Sequence, residues 1–234
     1  MVEKKGRRFD SHVNDYFFDS ERDFLGKGEL GTVVRAYKFA DLESTPYALK
    51  IIRKSKLDKT FHKWVQREIT IQQDLTKAFC KKSAARKSSS PQASIVKLHR
   101  VVENKKYIVM VMDLCEGGNL AEYLSEKEPE MRLPELEARD LIRQTLSVFK
   151  KIHALGYVHR DIKLDNLFLR KRTATLEGEI RVGDFGQAKQ LSTCTKPRMM
   201  TFMGNQSSIP PDMVRSKLVS EEPYTGYTAK VDVY

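Results

Sequence analysis

The stretch His159-Arg160-Asp161-Ile162-Lys163-Leu164-Asp165-Asn166, followed downstream by Asp184-Phe185-Gly186, decides how this chain reads. It places one proton acceptor, one cation and two hard-oxygen metal-ligand types on two short segments. Mg²⁺ takes carboxylate and amide oxygens, which Asp184 and Asn166 can offer. A carboxylate such as Asp161 can orient an attacking hydroxyl and accept its proton. Lys163 can neutralise charge on a transferring phosphoryl group. Either segment alone also reads as a polar turn between strands. Both, in this order, suit phosphoryl transfer from a magnesium-bound nucleotide to a hydroxyl.

Working upstream, Leu25-Gly26-Lys27-Gly28-Glu29-Leu30-Gly31-Thr32-Val33-Val34 reads as strand, glycine-rich turn, strand. Such a turn is either an ordinary hairpin or a clamp whose amides face phosphates. A dinucleotide fold needs a helix straight after the glycines, and the β-branched Thr32-Val33-Val34 predicts a strand instead. Tyr47-Ala48-Leu49-Lys50-Ile51-Ile52 is an apolar run with one lysine. A lysine there is costly unless it is paired or snorkels to water. Helical spacing follows around Trp64, Val65, Ile69 and Gln72, and again from Pro134 to His153 through Leu136, Leu141, Ile142, Thr145, Leu146, Phe149 and Ile152. Pro134 suits the first turn. Tyr107–Met112 and Ile95-Val96-Lys97-Leu98 read as strands.

These motifs resemble the eukaryotic protein kinases of the serine/threonine type, to which Lys163, two residues after Asp161, also points. The resemblance implies an α+β, two-lobed fold: an N-terminal antiparallel sheet plus one helix, then a mainly α C-terminal lobe, here truncated. It divides the chain into an N-terminal extension (1–18), an N-lobe (19–112) and a hinge with a partial C-lobe (113–234). It implies ATP and Mg²⁺ as cofactors. Asp161 would be the base, Lys163 would stabilise transferred charge, and Asn166 and Asp184 would hold the metal. Lys50 would grip the phosphates, paired with Glu68. The glycine-loop residues from Leu25 to Val33 would cover the nucleotide. Met112 would be the gatekeeper, with adenine on the backbone of Asp113 and Cys115 between Leu25, Val33, Ala48 and Phe168. Arg160 would meet a phosphate on the segment after Asp184, where Thr193, Thr195 or Thr201 would accept it from an activating kinase. The partners implied are proteins with Ser/Thr acceptors. Residues 48–57 are similar to calcium/calmodulin-dependent kinases and residues 115–120 to those and to NIMA-related kinases, so the subgroup stays open.

Composition agrees. With 234 residues and 40% apolar content, the chain can bury a substantial core. No apolar run approaches the ~20 residues of a membrane span, and no secretory signal opens the sequence. Cys80, Cys115 and Cys194 show no metal spacing and fit free thiols in a reducing, intracellular compartment, cytoplasmic in the first instance. The net charge is +11, and residues 77–106 hold nine Lys/Arg against the single acidic Glu103. The Lys-, Arg- and Ser-rich stretch at about 80–94 reads as a solvated insertion. Its sharper alternatives are a basic docking strip and a phosphate acceptor at Ser83, Ser88, Ser89 or Ser90. Only Phe79 is interleaved with the charges, which gives nucleic-acid stacking little support.

Several positions depart from the family. The usual Gly-Thr-Pro-x-Tyr-x-Ala-Pro-Glu is Gly204-Asn205-Gln206-Ser207-Ser208-Ile209-Pro210-Pro211-Asp212. Gln72 stands where an apolar residue is usual, and Leu30 sits at the glycine-loop tip. The link from the catalytic loop to Asp184 is extended by Arg170-Lys171-Arg172-Thr173-Ala174-Thr175, which predicts a longer hairpin. Residues 228–234 are similar to the start of the family's long central helix. The altered segment end sustains a second reading, an impaired kinase-like scaffold that binds ATP and regulates a partner.

Overall fold

The computed structural model describes residues 2–4, 7–28, 31–39, 46–80, 93–127, 129, 132–173, 176–191 and 228–232, with side chains from Asp10 onward. In chain order the strands are β1 Val2–Lys4, β2 Arg7–Phe9, β3 Ser11–Val13, β4 Tyr16–Phe18, β5 Phe24–Lys27, β6 Gly31–Lys38 and β7 Tyr47–Arg53. Helix α1 (Lys59–Cys80), β8 (Ser94–Ile95), β9 (Leu98–Glu103) and β10 (Tyr107–Asp113) follow. Then come α2 (Leu120–Ser125), α3 (Glu135–Ala154), β11 (Tyr157–Val158), β12 (Leu167–Leu169), β13 (Ile180–Val182) and β14 (Lys189–Gln190). The chain forms two compact units, residues 1–69 with 96–115 and residues 70–95 with 116–234.

The first unit is an antiparallel sheet in the order β3-β4-β6-β7-β10-β9, with β5 also pairing to β6. Strands β3 and β4 put Val13, Tyr16 and Phe18 into its core beside Val34, Ala36, Leu49, Val109 and Val111. On the other side of the sheet, Ile52, Ile108 and Met110 pack with Val65 and Ile69 of α1. Strand alternation explains the two cores: one set of side chains meets the helix and the other meets the β3–β4 side. The expected strand–turn–strand is present as the β5–β6 hairpin, closed by Gly28 N–H donating to the Gly31 carbonyl at 2.9 Å. Glu29 and Leu30 at its tip lie outside the described residues.

On α1 the buried face is Val65, Glu68, Ile69 and Gln72, while Trp64 is half-buried and stacks edge-on to Phe61 at 5.1 Å. The single strand expected over 95–98 is instead two. Ile95 pairs in parallel with Val182, whereas Leu98 pairs with Met112, because the chain leaves one sheet for another at Val96.

In the second unit, Leu141, Val148, Phe149 and Ile152 of α3 pack with Ile71, Leu75, Leu169, Ile180, Val182 and Phe185. Three apolar residues of the α3 spacing are on the surface: Leu136, Ile142 and Leu146 are 65%, 59% and 51% exposed. At 100° per residue Leu141, Val148 and Ile152 share one side. Ile142 and Leu146 fall on its flank, which no described residue covers. Pro134 is the N-cap, not part of the first turn; its extended backbone makes Glu135 the first helical residue. The catalytic-loop link does form the expected hairpin, β12 antiparallel to β13 with Leu169 opposite Ile180. The segment likened to the start of a long helix is described as a 3₁₀ turn, Ala229–Asp232, begun by the Thr228 hydroxyl accepting from Lys230 N–H. Among the described residues, no helix is long and apolar enough to cross a membrane.

Candidate active site

In the first unit the register puts Val33 opposite Lys50, Lys50 opposite Met110, and Ala48 opposite Met112. Directly paired residues share a face, so Val33, Ala48 and Lys50 lie on the side that α1 covers. Lys50 Nζ donates to Glu68 Oε1 at 2.5 Å. The Glu68 side chain is only 2% exposed, so the lysine in the apolar strand is paired and does not snorkel. Gly26, Lys27 and Thr32 lie on the two arms of the β5–β6 hairpin, and Leu25 is exposed.

Asp113 ends β10. Its N–H donates to the Lys97 carbonyl at 3.0 Å. Burial pushes the Asp113 carboxyl up, but the hydrogen bond and charge of His99 (2.6 Å) and the Lys97 amide outweigh it, holding the pKa below its ordinary value. Cys115 is half-buried and in no disulfide.

In the second unit one carboxylate collects its neighbours. Asp161 Oδ2 accepts from Asn166 Nδ2 at 3.0 Å and lies 3.1 Å from Lys163 Nζ. Asn166 Nδ2 also donates to the Asp161 carbonyl at 2.8 Å. With its nitrogen so engaged, Asn166 keeps its amide oxygen for a cation. The Gly183 N–H donates to the Asn166 carbonyl at 3.0 Å, so Asn166 and Asp184 stand at the same end of the β12–β13 pair. Asp184 is exposed and has a φ of 56°, a left-handed conformation uncommon for a residue with a side chain. One exposed carboxylate and one buried amide at the same hairpin end fit Mg²⁺, which keeps waters and takes phosphate oxygens for its remaining positions. Phe168 is half-buried on β12 and bridges to Asn119.

The loop itself is held from behind. His159 is 1% exposed and sits against the rings of Phe149 and Phe185 at 5.8 and 5.1 Å. Its Nε2 meets the Gly183 carbonyl at 2.9 Å and its Nδ1 accepts from Asp161 N–H at 3.3 Å, a pattern that assigns the proton to Nε2. Arg160 has a φ of 68° and its Nε donates to the Gln187 carbonyl at 2.7 Å. Sequence reasoning missed Asp232. Its buried carboxylate accepts from the N–H groups of His159 and Arg160, each at 2.7 Å, and meets His153 Nε2 at 2.8 Å. Those bonds hold Arg160 in its strained conformation and thereby aim Asp161. No local pattern in residues 228–232 marks this role, because the partners lie more than seventy residues away.

Gln72 is buried on α1, as its departure from the family pattern made notable. Thr193, Thr195, Thr201, Cys194, Ser83, Ser88, Ser89, Ser90 and residues 204–212 lie outside the described residues.

A sheet with a lysine–glutamate pair in one unit, and an Asp–Lys–Asn loop beside Asp-Phe-Gly in the other, define the class: a protein kinase domain. The protein kinase domain model matches residues 20–234, and the chain belongs to that family. It is 32% identical to human NUAK family SNF1-like kinase 2 over 203 residues, covering 86% of this chain and 27% of that protein. It is 30% identical to 3-phosphoinositide-dependent protein kinase 1 of Arabidopsis thaliana, over 82% of this chain and 36% of the relative. It is 29% identical to the yeast fatty acyl-CoA synthetase and RNA processing-associated kinase 1, over 88% of this chain and 22% of the relative. The chain thus spans about a quarter to a third of the length of these curated relatives.

Proposed function

We propose that this chain carries the catalytic machinery of a serine/threonine protein kinase. The carrying observation is that Lys163 and Asn166 both engage the same oxygen of Asp161, Oδ2. No described donor reaches Oδ1, which is therefore the oxygen that accepts the proton of an incoming Ser or Thr hydroxyl. Lys163 remains close enough to follow negative charge as it builds on the transferring group. Mg–ATP, when bound, supplies the γ-phosphoryl group. Asn166 and Asp184 are the residues that would hold its metal. Lys50, paired with Glu68, would hold its phosphates, and the glycine-loop residues from Leu25 to Val33 would cover them. The adenine would lie on the backbone of Asp113 and Cys115, with Ala48 and Val33 as apolar contacts.

The relatives support the reading because each is named a kinase. The test is transfer of labelled phosphate from Mg–ATP to a Ser/Thr peptide. Asp161→Asn should lower the rate by about 10²–10⁴-fold, the usual worth of a general base. An unchanged rate would remove Asp161 from its role. Nucleotide binding without any transfer by the parent chain would instead favour the scaffold reading that the altered segment 204–212 sustains.

A further inference from the structure

The extended link between β12 and β13 has no part in the chemistry above, yet it carries Arg172, an arginine that bonds to three groups at once. Arg172 Nε donates to the Gly117 carbonyl at 2.9 Å. Its two terminal nitrogens both meet the Glu126 carboxylate, Nη2 at 3.1 Å. Its guanidinium lies 5.5 Å from the centre of the Tyr123 ring. Gly117 precedes α2 and Glu126 is the helix's C-cap, so one planar cation ties together both ends of α2.

The link is itself anchored. Arg170 Nη2 and Lys171 N–H both donate to the buried Glu179 carboxylate, at 2.8 and 3.0 Å. Leu176 is 2% exposed in the core, and its carbonyl accepts from Gln144 Nε2 of α3 at 3.1 Å. Arg172 therefore projects from a fixed base.

What it holds is the segment that follows Cys115. Glu116 N–H donates to the Arg170 carbonyl and Gly117 N–H to the Leu169 carbonyl, both at 3.0 Å, and Leu169 N–H donates to the Gly118 carbonyl at 2.9 Å. Residues 116–119 thus run as an added strand along β12, the strand of Phe168. A Cβ on Gly117 would stand 2.6 Å from Leu169 Cβ, so the approach needs glycine.

We propose that Arg172 is a positioning residue for nucleotide binding. By pinning Gly117 and α2, it fixes the backbone that leaves the adenine-binding residues and sets its distance from Phe168. A planar fork makes these bonds together, and a lysine cannot. The inference rests on the kinase reading for its nucleotide consequence and on geometry alone for the strut.

Two measurements on the full chain test it. In steady-state transfer assays, Arg172→Ala should raise KM for ATP about tenfold, with kcat and peptide KM changed less than about twofold. Arg172→Lys should recover only part of the loss. Equal KM for ATP in Arg172→Ala and the parent, or an equal fall in kcat, overturns the proposal. Without nucleotide, hydrogen exchange at the amides of residues 116–126 should quicken in Arg172→Ala. Unchanged exchange overturns the strut whether or not the chain turns over ATP. A parent chain with no transfer, but with quickened exchange in the variant, overturns the kinase reading and the nucleotide role of Arg172 while leaving the strut standing.

Discussion

Asp232 shows what a single side chain does at a distance. Two main-chain N–H groups and one imidazole nitrogen meet its carboxylate, whose side chain is fully buried. Removing such an acceptor strands buried donors, at about 1–3 kcal/mol for each one left unsatisfied. Asp232→Ala should therefore lower the urea midpoint clearly, and Asp232→Asn less, because one oxygen remains. Both should lower phosphate transfer although neither touches the reacting groups. A variant with the parent's midpoint and rate would show that the loop holds itself. Lys50 behaves differently. Lys50→Met should reduce transfer by about 10²–10³-fold, the worth of a lost charge-stabilising donor. Assays at saturating peptide would check it, with Glu68→Gln giving a smaller loss because the lysine charge survives.

At the scale of elements, the β9–β10 pair is joined by a titrating contact. His99 on β9 and Asp113 on β10 meet at 2.6 Å, and the Asp113 pKa lies below its ordinary 3.8. A depressed carboxylate gives stability that is complete above the unfolded value and is lost as pH falls through the folded one. The stability gap between the parent and Asp113→Asn should thus be present at pH 7 and shrink below pH 3.8. Denaturant melts at several pH values would measure it, and a gap independent of pH would count against the pairing. Elements also explain where periodicity misled. The α3 spacing predicted a helix, and in it Leu141, Phe149 and Ile152 are core. It could not separate them from Leu136, Ile142 and Leu146, because a helical repeat fixes the angle between residues but not which arc a neighbour covers. The strand expected at 95–98 failed for a related reason: β propensity does not say which sheet a strand joins.

For the molecule as a whole, ligand binding is the global readout. A ligand that binds only the folded state stabilises it by mass action, about 2.7 kcal/mol at a hundredfold excess over Kd. Mg–ATP should raise the melting temperature of the full chain, and Asp184→Ala should remove the part of that rise that depends on Mg²⁺. No shift at millimolar Mg–ATP would contradict the assigned nucleotide residues. The glycine hairpin was legible beforehand because tight backbone calls for glycine, and the Lys50–Glu68 pair and the Asp161 loop because their motifs resemble those of protein kinases.

The sequence by itself determined the family and the strand–turn–strand, and its resemblance to protein kinases implied the Lys50–Glu68 pair. These depend on local spacing and on the cost of leaving a charge unpaired. Only the tertiary structure decided that Asp232 supports the catalytic loop, that Arg172 braces α2, and which apolar side chains of α3 are covered. Those facts depend on which distant segments fold back onto one another, and a one-dimensional pattern carries no such distances.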